Sequence, residues 1–128
     1  MKKDIENIND IELLVNQFYR NVAQMPELSS LFSNVNWEKH LPVMYQFWEN
    51  AVFYTGSYTG NPLRTHTTLN KRMHFNKDHF DKWLTVFNST VDGLFVGEKA
   101  ELIKQRAMSI ATVMCIKILK VKENELTV

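Results

Sequence analysis

Apolar side chains recur every three or four residues along most of the chain, with polar side chains between them. This period places the apolar side chains on one face of a helix. The pattern predicts four substantial helices, at about residues 9–25, 37–55, 77–93 and 98–120. No stretch alternates between apolar and polar residues as a half-buried strand does. The fold class is therefore expected to be all-α.

Local signals refine the ends of these helices. Asn9 and Glu12 have the spacing of a capping box, which predicts that the first helix begins there. Residues 1–8 and 122–128 are mostly polar and are expected to be loose termini. Pro42 lies inside the second predicted helix and lacks a backbone donor, so we expect a bend at this point.

The segment from Asn61 to Trp83 holds three of the four histidines. Asn61 is a suitable cap and Pro62 suits a first helical position, so a short helix is expected to carry His66. The long helix that follows places Phe80 and Trp83 on its inner face. A histidine on a short helix, opposite helices rich in aromatic residues, is one way to hold a flat apolar cofactor by its metal.

Length, composition and charge bound the class of protein. A chain of 128 residues with 45% hydrophobic residues predicts one globular domain, spanning residues 1–128. A net charge of +1 gives no support to a nucleic acid or an acidic membrane as partner. The single cysteine, Cys115, suits a reducing compartment. There is neither a signal peptide nor an apolar run long enough to span a bilayer. We expect a cytoplasmic protein, and a monomer.

Most catalytic and metal-binding patterns are missing from the sequence. There is no phosphate-binding glycine loop, no HExxH and no CxxC. His74 and His79 are five residues apart, which is poor geometry for a zinc pair. Cys115 lies in an apolar stripe with no obvious base. A lone histidine in a helical core is more often a packed side chain than a ligand. The remaining candidates are His66 and three inward-pointing side chains with polar tips, which are Tyr19, His40 and Trp83.

Several short motifs, taken together and in order, resemble the truncated haemoglobins, specifically the third group of that family. The resemblance covers about residues 8–118. Its motifs include Trp37-Glu-Lys-His40, Gly60-Asn-Pro-Leu-Arg-Thr-His66 and His79-Phe-Asp-Lys-Trp83. The chain also lacks the Gly-Gly pairs that typify the other truncated groups. Each motif alone is unspecific, whereas their order along one chain is specific.

The resemblance implies a globin-like, two-over-two helical sandwich around haem b, with His66 as the proximal iron ligand. It implies that Tyr19, His40 and Trp83 lie on the distal side and donate hydrogen bonds to a bound gas, with His40 as either a donor or a gate. The side chains expected to pack against the porphyrin are Phe32, Met44, Phe47 and Phe75. Charge alone suggests Arg64 and Arg72 for the haem propionates.

Three functions follow from these expectations. The first is a haem protein that reversibly binds oxygen, nitric oxide or carbon monoxide. The second is a haem enzyme, either a peroxidase or a nitric oxide dioxygenase, which would need an external reductase because the chain has no second domain. The third is a cofactor-free helical bundle that binds a partner protein and is colourless.

Overall fold

The computed structural model of the chain describes residues 2–32, 35–53 and 77–126. These ranges contain five α-helices and one 3-10 turn, namely α1 (Ile8–Ala23), α2 (Pro26–Ser29), the turn Ser30–Phe32, α3 (Trp37–Phe53), α4 (Lys77–Leu94) and α5 (Glu98–Leu126). Extended pairing in these ranges is limited to an isolated backbone bridge between Lys3 and Phe95. The all-α prediction is confirmed. None of the described helices is long and apolar enough to cross a membrane.

An aromatic cluster joins α1, α3 and α4 at the centre of the fold. Phe18 and Phe87 are fully buried, and their rings meet edge to face at 5.2 Å. Trp48 stacks on Phe87 at 4.7 Å, and Trp83 stacks on it at 5.5 Å. Aromatic pairs in such geometries contribute about 0.5–1.5 kcal/mol beyond the burial of their area. The cluster therefore fixes the mutual positions of the three helices that carry the candidate site residues.

Helix α1 begins two residues before the predicted start. Asn7, and not Asn9, is the N-cap, and its side-chain oxygen accepts the amide N–H of Asp10 at 3.2 Å. The Asp10 carboxylate in turn accepts the amide N–H of Glu6 at 2.8 Å. The prediction that Asn9 and Glu12 form the capping box is wrong, because Asn7 is the N-cap, while the Asp10 carboxylate binds the amide N–H of the residue before that cap.

The N-terminal segment also differs from the expectation of a loose terminus. Ile5 is only 2% exposed and belongs to the core. The Asp4 carboxylate accepts the amide N–H groups of Lys99 and Ala100, both at 2.9 Å. These amides lie in the first turn of α5, where the helix itself supplies no acceptor. Asp4 thus caps a helix that begins more than ninety residues later in the chain. At the other end, α5 extends to Leu126 and not to about residue 120 as predicted.

Gly97, directly before α5, makes room for this cap. Its φ is +140°, a conformation that side chains with a Cβ rarely adopt. A Cβ at this position would also lie 2.5 Å from Cγ of Asp4. The sequence therefore requires glycine at position 97 for two independent reasons, the backbone angle and the close approach of Asp4.

Replacing Asp4 with alanine is expected to lower the free energy of unfolding by about 1–2 kcal/mol, the range found for lost N-caps. Partial burial opposes ionisation of Asp4, but the hydrogen bonds from the Lys99 and Ala100 amides outweigh it and hold its pKa below the usual value. A lowered pKa in the folded state stabilises the protein above the unfolded-state pKa, and this contribution is lost as the pH falls through the folded-state pKa.

Urea unfolding of the wild type and the Asp4→Ala variant at pH 7, repeated at lower pH, measures this effect. The difference between the two proteins should shrink in acid. The matched control is Asp81→Ala, since Asp81 is an exposed carboxylate on α4, and its effect is expected to stay within about 0.5 kcal/mol. Equal effects of the two substitutions would show that the cap contributes nothing to stability.

Candidate functional site

A cleft is lined by residues from all five described helices. The apolar part of the wall consists of Leu28, Phe32, Met44, Phe47, Phe80, Ile110, Ala111 and Met114. Side chains with a polar tip are fewer, and they are Tyr19, Trp48, His79 and Trp83. The cleft is thus an apolar slot with polar groups at a few points of its wall.

The structure brings together most of the predicted site residues that fall within its described ranges. The residues predicted to pack against the cofactor, Phe32, Met44 and Phe47, all line the cleft, as do Tyr19 and Trp83. His40 joins them through its contact with Tyr19. The remaining predicted residues, His66, Arg64, Arg72 and Phe75, lie outside the residues that the structure describes.

Tyr19 and His40 form a polar pair between α1 and α3. The Tyr19 hydroxyl lies 3.2 Å from Nε2 of His40, within hydrogen-bond distance. Burial raises the pKa of Tyr19 well above its usual range, so the phenol keeps its proton at neutral pH. If Nε2 carries a proton, His40 donates to the Tyr19 oxygen, and the Tyr19 O–H remains available to a molecule in the cleft.

Trp37 packs against both members of this pair, a role that the sequence analysis did not assign. Its ring centroid lies 4.8 Å from that of Tyr19 and 5.4 Å from that of His40. Trp37 and His40 are three residues apart on α3, so their side chains lie on the same helix face. This spacing was visible in the sequence and is the signal that would have included Trp37.

Trp83 and His79 occupy neighbouring turns on the cleft side of α4. Trp83 is half-buried, and its ring is held edge to face by Phe18 at 5.6 Å and stacked on Phe87. His79 precedes Trp83 by four residues and lines the same cleft. The sequence analysis left His79 outside the site. The four-residue spacing to Trp83 predicts the shared face and could have placed it there.

The donor set of the cleft fits a flat apolar cofactor better than a bare metal ion. Among the described residues, no group of three or more His, Cys, Asp or Glu side chains could hold a metal. The aromatic and aliphatic walls offer apolar surface to a planar ring, whereas the neutral Tyr19 hydroxyl offers a hydrogen bond within the same space. Apolar walls fit the ring of haem, and the hydroxyl would suit a small ligand bound to its iron.

Comparison with known proteins gives consistent matches over most of the chain. The profile of the bacterial-like globins matches residues 5–116. A group 3 truncated hemoglobin of Campylobacter jejuni is 29% identical over 118 residues, which cover 88% of this chain and 91% of that protein.

Solved structures agree with this match. The crystal structure of a group III truncated hemoglobin from Campylobacter jejuni has a TM-score of 0.81 at 27% identity, covering 92% of this chain and 95% of that one. THB1 of Chlamydomonas reinhardtii has a TM-score of 0.68 at 24% identity, covering 84% and 89% of the two chains, and this likeness concerns the fold alone.

Proposed function

Because the chain belongs to the bacterial-like globin family, a family of haem-binding proteins, we propose that it binds haem b and reversibly holds oxygen or another diatomic gas beside Tyr19. The observation that carries the proposal is the Tyr19 hydroxyl, which is half-buried in the wall of an apolar cleft and lies within hydrogen-bond distance of His40. We further propose that residues 1–128 act as one globin domain, monomeric and cytoplasmic.

Haem would supply an iron atom that a histidine can hold and that can bind a diatomic gas. We assign the proximal role to His66. The flat faces of the cofactor would pack against Phe32, Met44 and Phe47, which line the cleft, and against Phe75. Arg64 and Arg72 are assigned to the two propionates on grounds of charge. In this proposal, the described part of the cleft would supply the apolar contacts and the hydrogen-bond donors.

The polar side chains of the cleft suit a ligand that takes on negative charge. Tyr19 can donate its O–H, and Trp83 can donate its indole N–H but cannot accept. Hydrogen bonds to charged groups contribute about 1.5–3 kcal/mol each. His40 sets the direction of the Tyr19 hydroxyl, because only the form protonated at Nε2 leaves that O–H directed at the ligand. Oxygen, which polarises more than carbon monoxide, is therefore the ligand that this site favours.

The same donors favour a second function, in which the protein is an enzyme. Donors directed at a polarised O–O bond assist its cleavage as well as the retention of oxygen. Peroxide reduction or the conversion of nitric oxide to nitrate would then require electrons from an external reductase. A rate of peroxide reduction no higher than that of free haem would count against the enzyme function.

The absorption spectrum of the purified protein, supplied with haem and measured oxidised, reduced and reduced with carbon monoxide, tests the proposal. We expect a Soret band that sharpens and shifts when carbon monoxide is added to the reduced protein. Such a shift requires an accessible position on the iron. A folded, colourless protein that takes up no added haem would refute the proposal and leave the cofactor-free bundle.

A further inference from the structure

His79 differs from every other described residue in the wall of the cleft, because it alone can carry a positive charge. It lies in the first turn of α4 and is half-buried, four residues before Trp83. Its ring therefore lines the cleft and is also partly exposed to solvent. The cleft has one basic group in a wall that is otherwise mostly apolar.

Haem b has the complementary distribution of charge. Its ring is apolar, but it carries two carboxylates, and an ionised carboxylate buried without a partner is strongly disfavoured. A haem seated in the cleft would keep these carboxylates at the mouth, near solvent and near any group that can donate to them. An imidazole donates an N–H whether it is neutral or charged, so His79 can serve in either state.

The surroundings of His79 are also favourable to an anion. The positive end of the helix dipole lies in the first turn of α4. Asp78, the adjacent carboxylate, is paired with Lys82 at 2.9 Å, one turn further along the helix. The acidic neighbour is therefore partly neutralised by Lys82.

We propose that His79 binds a carboxylate of the haem at the mouth of the cleft and slows the loss of haem from the protein. This inference rests on the proposed function, since it requires that the cleft holds haem. It assigns His79 to the retention of the cofactor and gives it no part in binding the gas.

The test compares two cofactors in two proteins. Haem b and haem dimethyl ester, which lacks the ionisable carboxylates, are each loaded into the wild type and into His79→Phe. Phenylalanine keeps an apolar ring in the wall but removes the N–H. Transfer of the cofactor to an excess of a haem-scavenging apoprotein, followed in the Soret band, gives the rate of loss.

We expect His79→Phe to lose haem b about 5- to 20-fold faster than the wild type does. This factor corresponds to the loss of one hydrogen bond to a charged group, reduced because the site is partly exposed to solvent. The same substitution should leave the loss of the dimethyl ester unchanged. His79→Gln, which keeps an N–H donor, should recover part of the effect. Lys77→Gln is the control for charge alone, because Lys77 is an exposed cation in the same helical turn, and it should match the wild type.

Three outcomes would overturn the inference. Equal acceleration for haem b and its ester would mean that His79 acts by packing. A change in the Soret position of His79→Gln would mean that it acts at the iron. If Lys77→Gln accelerated haem loss as much as His79→Phe, haem retention would depend on the nearby positive charge in general and not on a contact with His79. A wild type that takes up neither cofactor would refute the proposed function itself, which distinguishes that failure from a failure of the role of His79 alone.

Discussion

Replacing His66 with alanine is expected to lower the haem content of the purified protein at least about tenfold. Proximal histidine ligation attaches the iron to the protein in globins, and the resemblance assigns this role to His66. Without that bond, the cofactor is held only by the apolar walls and by contacts to its carboxylates. The measurement is the haem-to-protein ratio after expression with haem supplied, with circular dichroism as the check that the helices are intact.

Two additions sharpen this experiment. Free imidazole added to His66→Ala should restore part of the reduced spectrum, because it can occupy the space of the missing ring and bind the iron. His74→Ala is the matched control from the same segment of the chain, and it should retain the haem content of the wild type. If His66→Ala kept its haem and His74→Ala lost it, the ligand would be His74 and the alignment of the family motif would be wrong.

Replacing Tyr19 with phenylalanine is expected to accelerate the dissociation of oxygen about 10- to 100-fold. The substitution keeps the ring that packs on Phe18 and Trp37 and removes only the hydroxyl. One hydrogen bond to a charged group contributes about 1.5–3 kcal/mol, and each 1.4 kcal/mol is a factor of ten in rate. Stopped-flow displacement of oxygen by carbon monoxide gives the rate constant directly.

Both the ligand and the chain offer controls for this substitution. Dissociation of carbon monoxide, which takes on little negative charge, should change far less in the same variant. Tyr45→Phe removes a hydroxyl that contacts Asn16 and that does not line the cleft. Its oxygen dissociation rate therefore shows the effect of losing a partly buried tyrosine hydrogen bond that lies away from the cleft. An oxygen dissociation rate identical in the wild type and Tyr19→Phe would remove Tyr19 from the ligand site.

Periodicity was enough to predict the fold class, because each long helix has an apolar face that the core must bury. The resemblance to third-group truncated haemoglobins is likewise confirmed by the family match and by the relative from Campylobacter jejuni. The same resemblance also indicated which side chains share the cleft. Phe32, Met44 and Phe47 lie on its wall, although their contact with haem remains a prediction.

Sequence reasoning missed features of two kinds. In some, two residues could play the same part, and in others the partners lie far apart in the sequence. Two asparagines, Asn7 and Asn9, could each cap α1, and local spacing alone does not decide between them; in the structure Asn7 accepts the amide N–H of Asp10. Trp37 lies on the same face of α3 as His40, and His79 lies on the same face of α4 as Trp83. Neither residue had a recognised role, so neither was included in the predicted site. The tie between Asp4 and α5 has no local pattern at all, because its two partners are 95 residues apart.

The contact between Asp4 and α5 can form only after most of the chain has been synthesised. Asp4 leaves the ribosome long before Lys99, and at about 5–20 residues per second the interval is roughly 5–20 s. During this interval the N-terminal segment has no helix to cap, and Ile5 lacks part of its core. Asp4 and Ile5 are thus made early but reach their final contacts late, whereas α1 itself could form early.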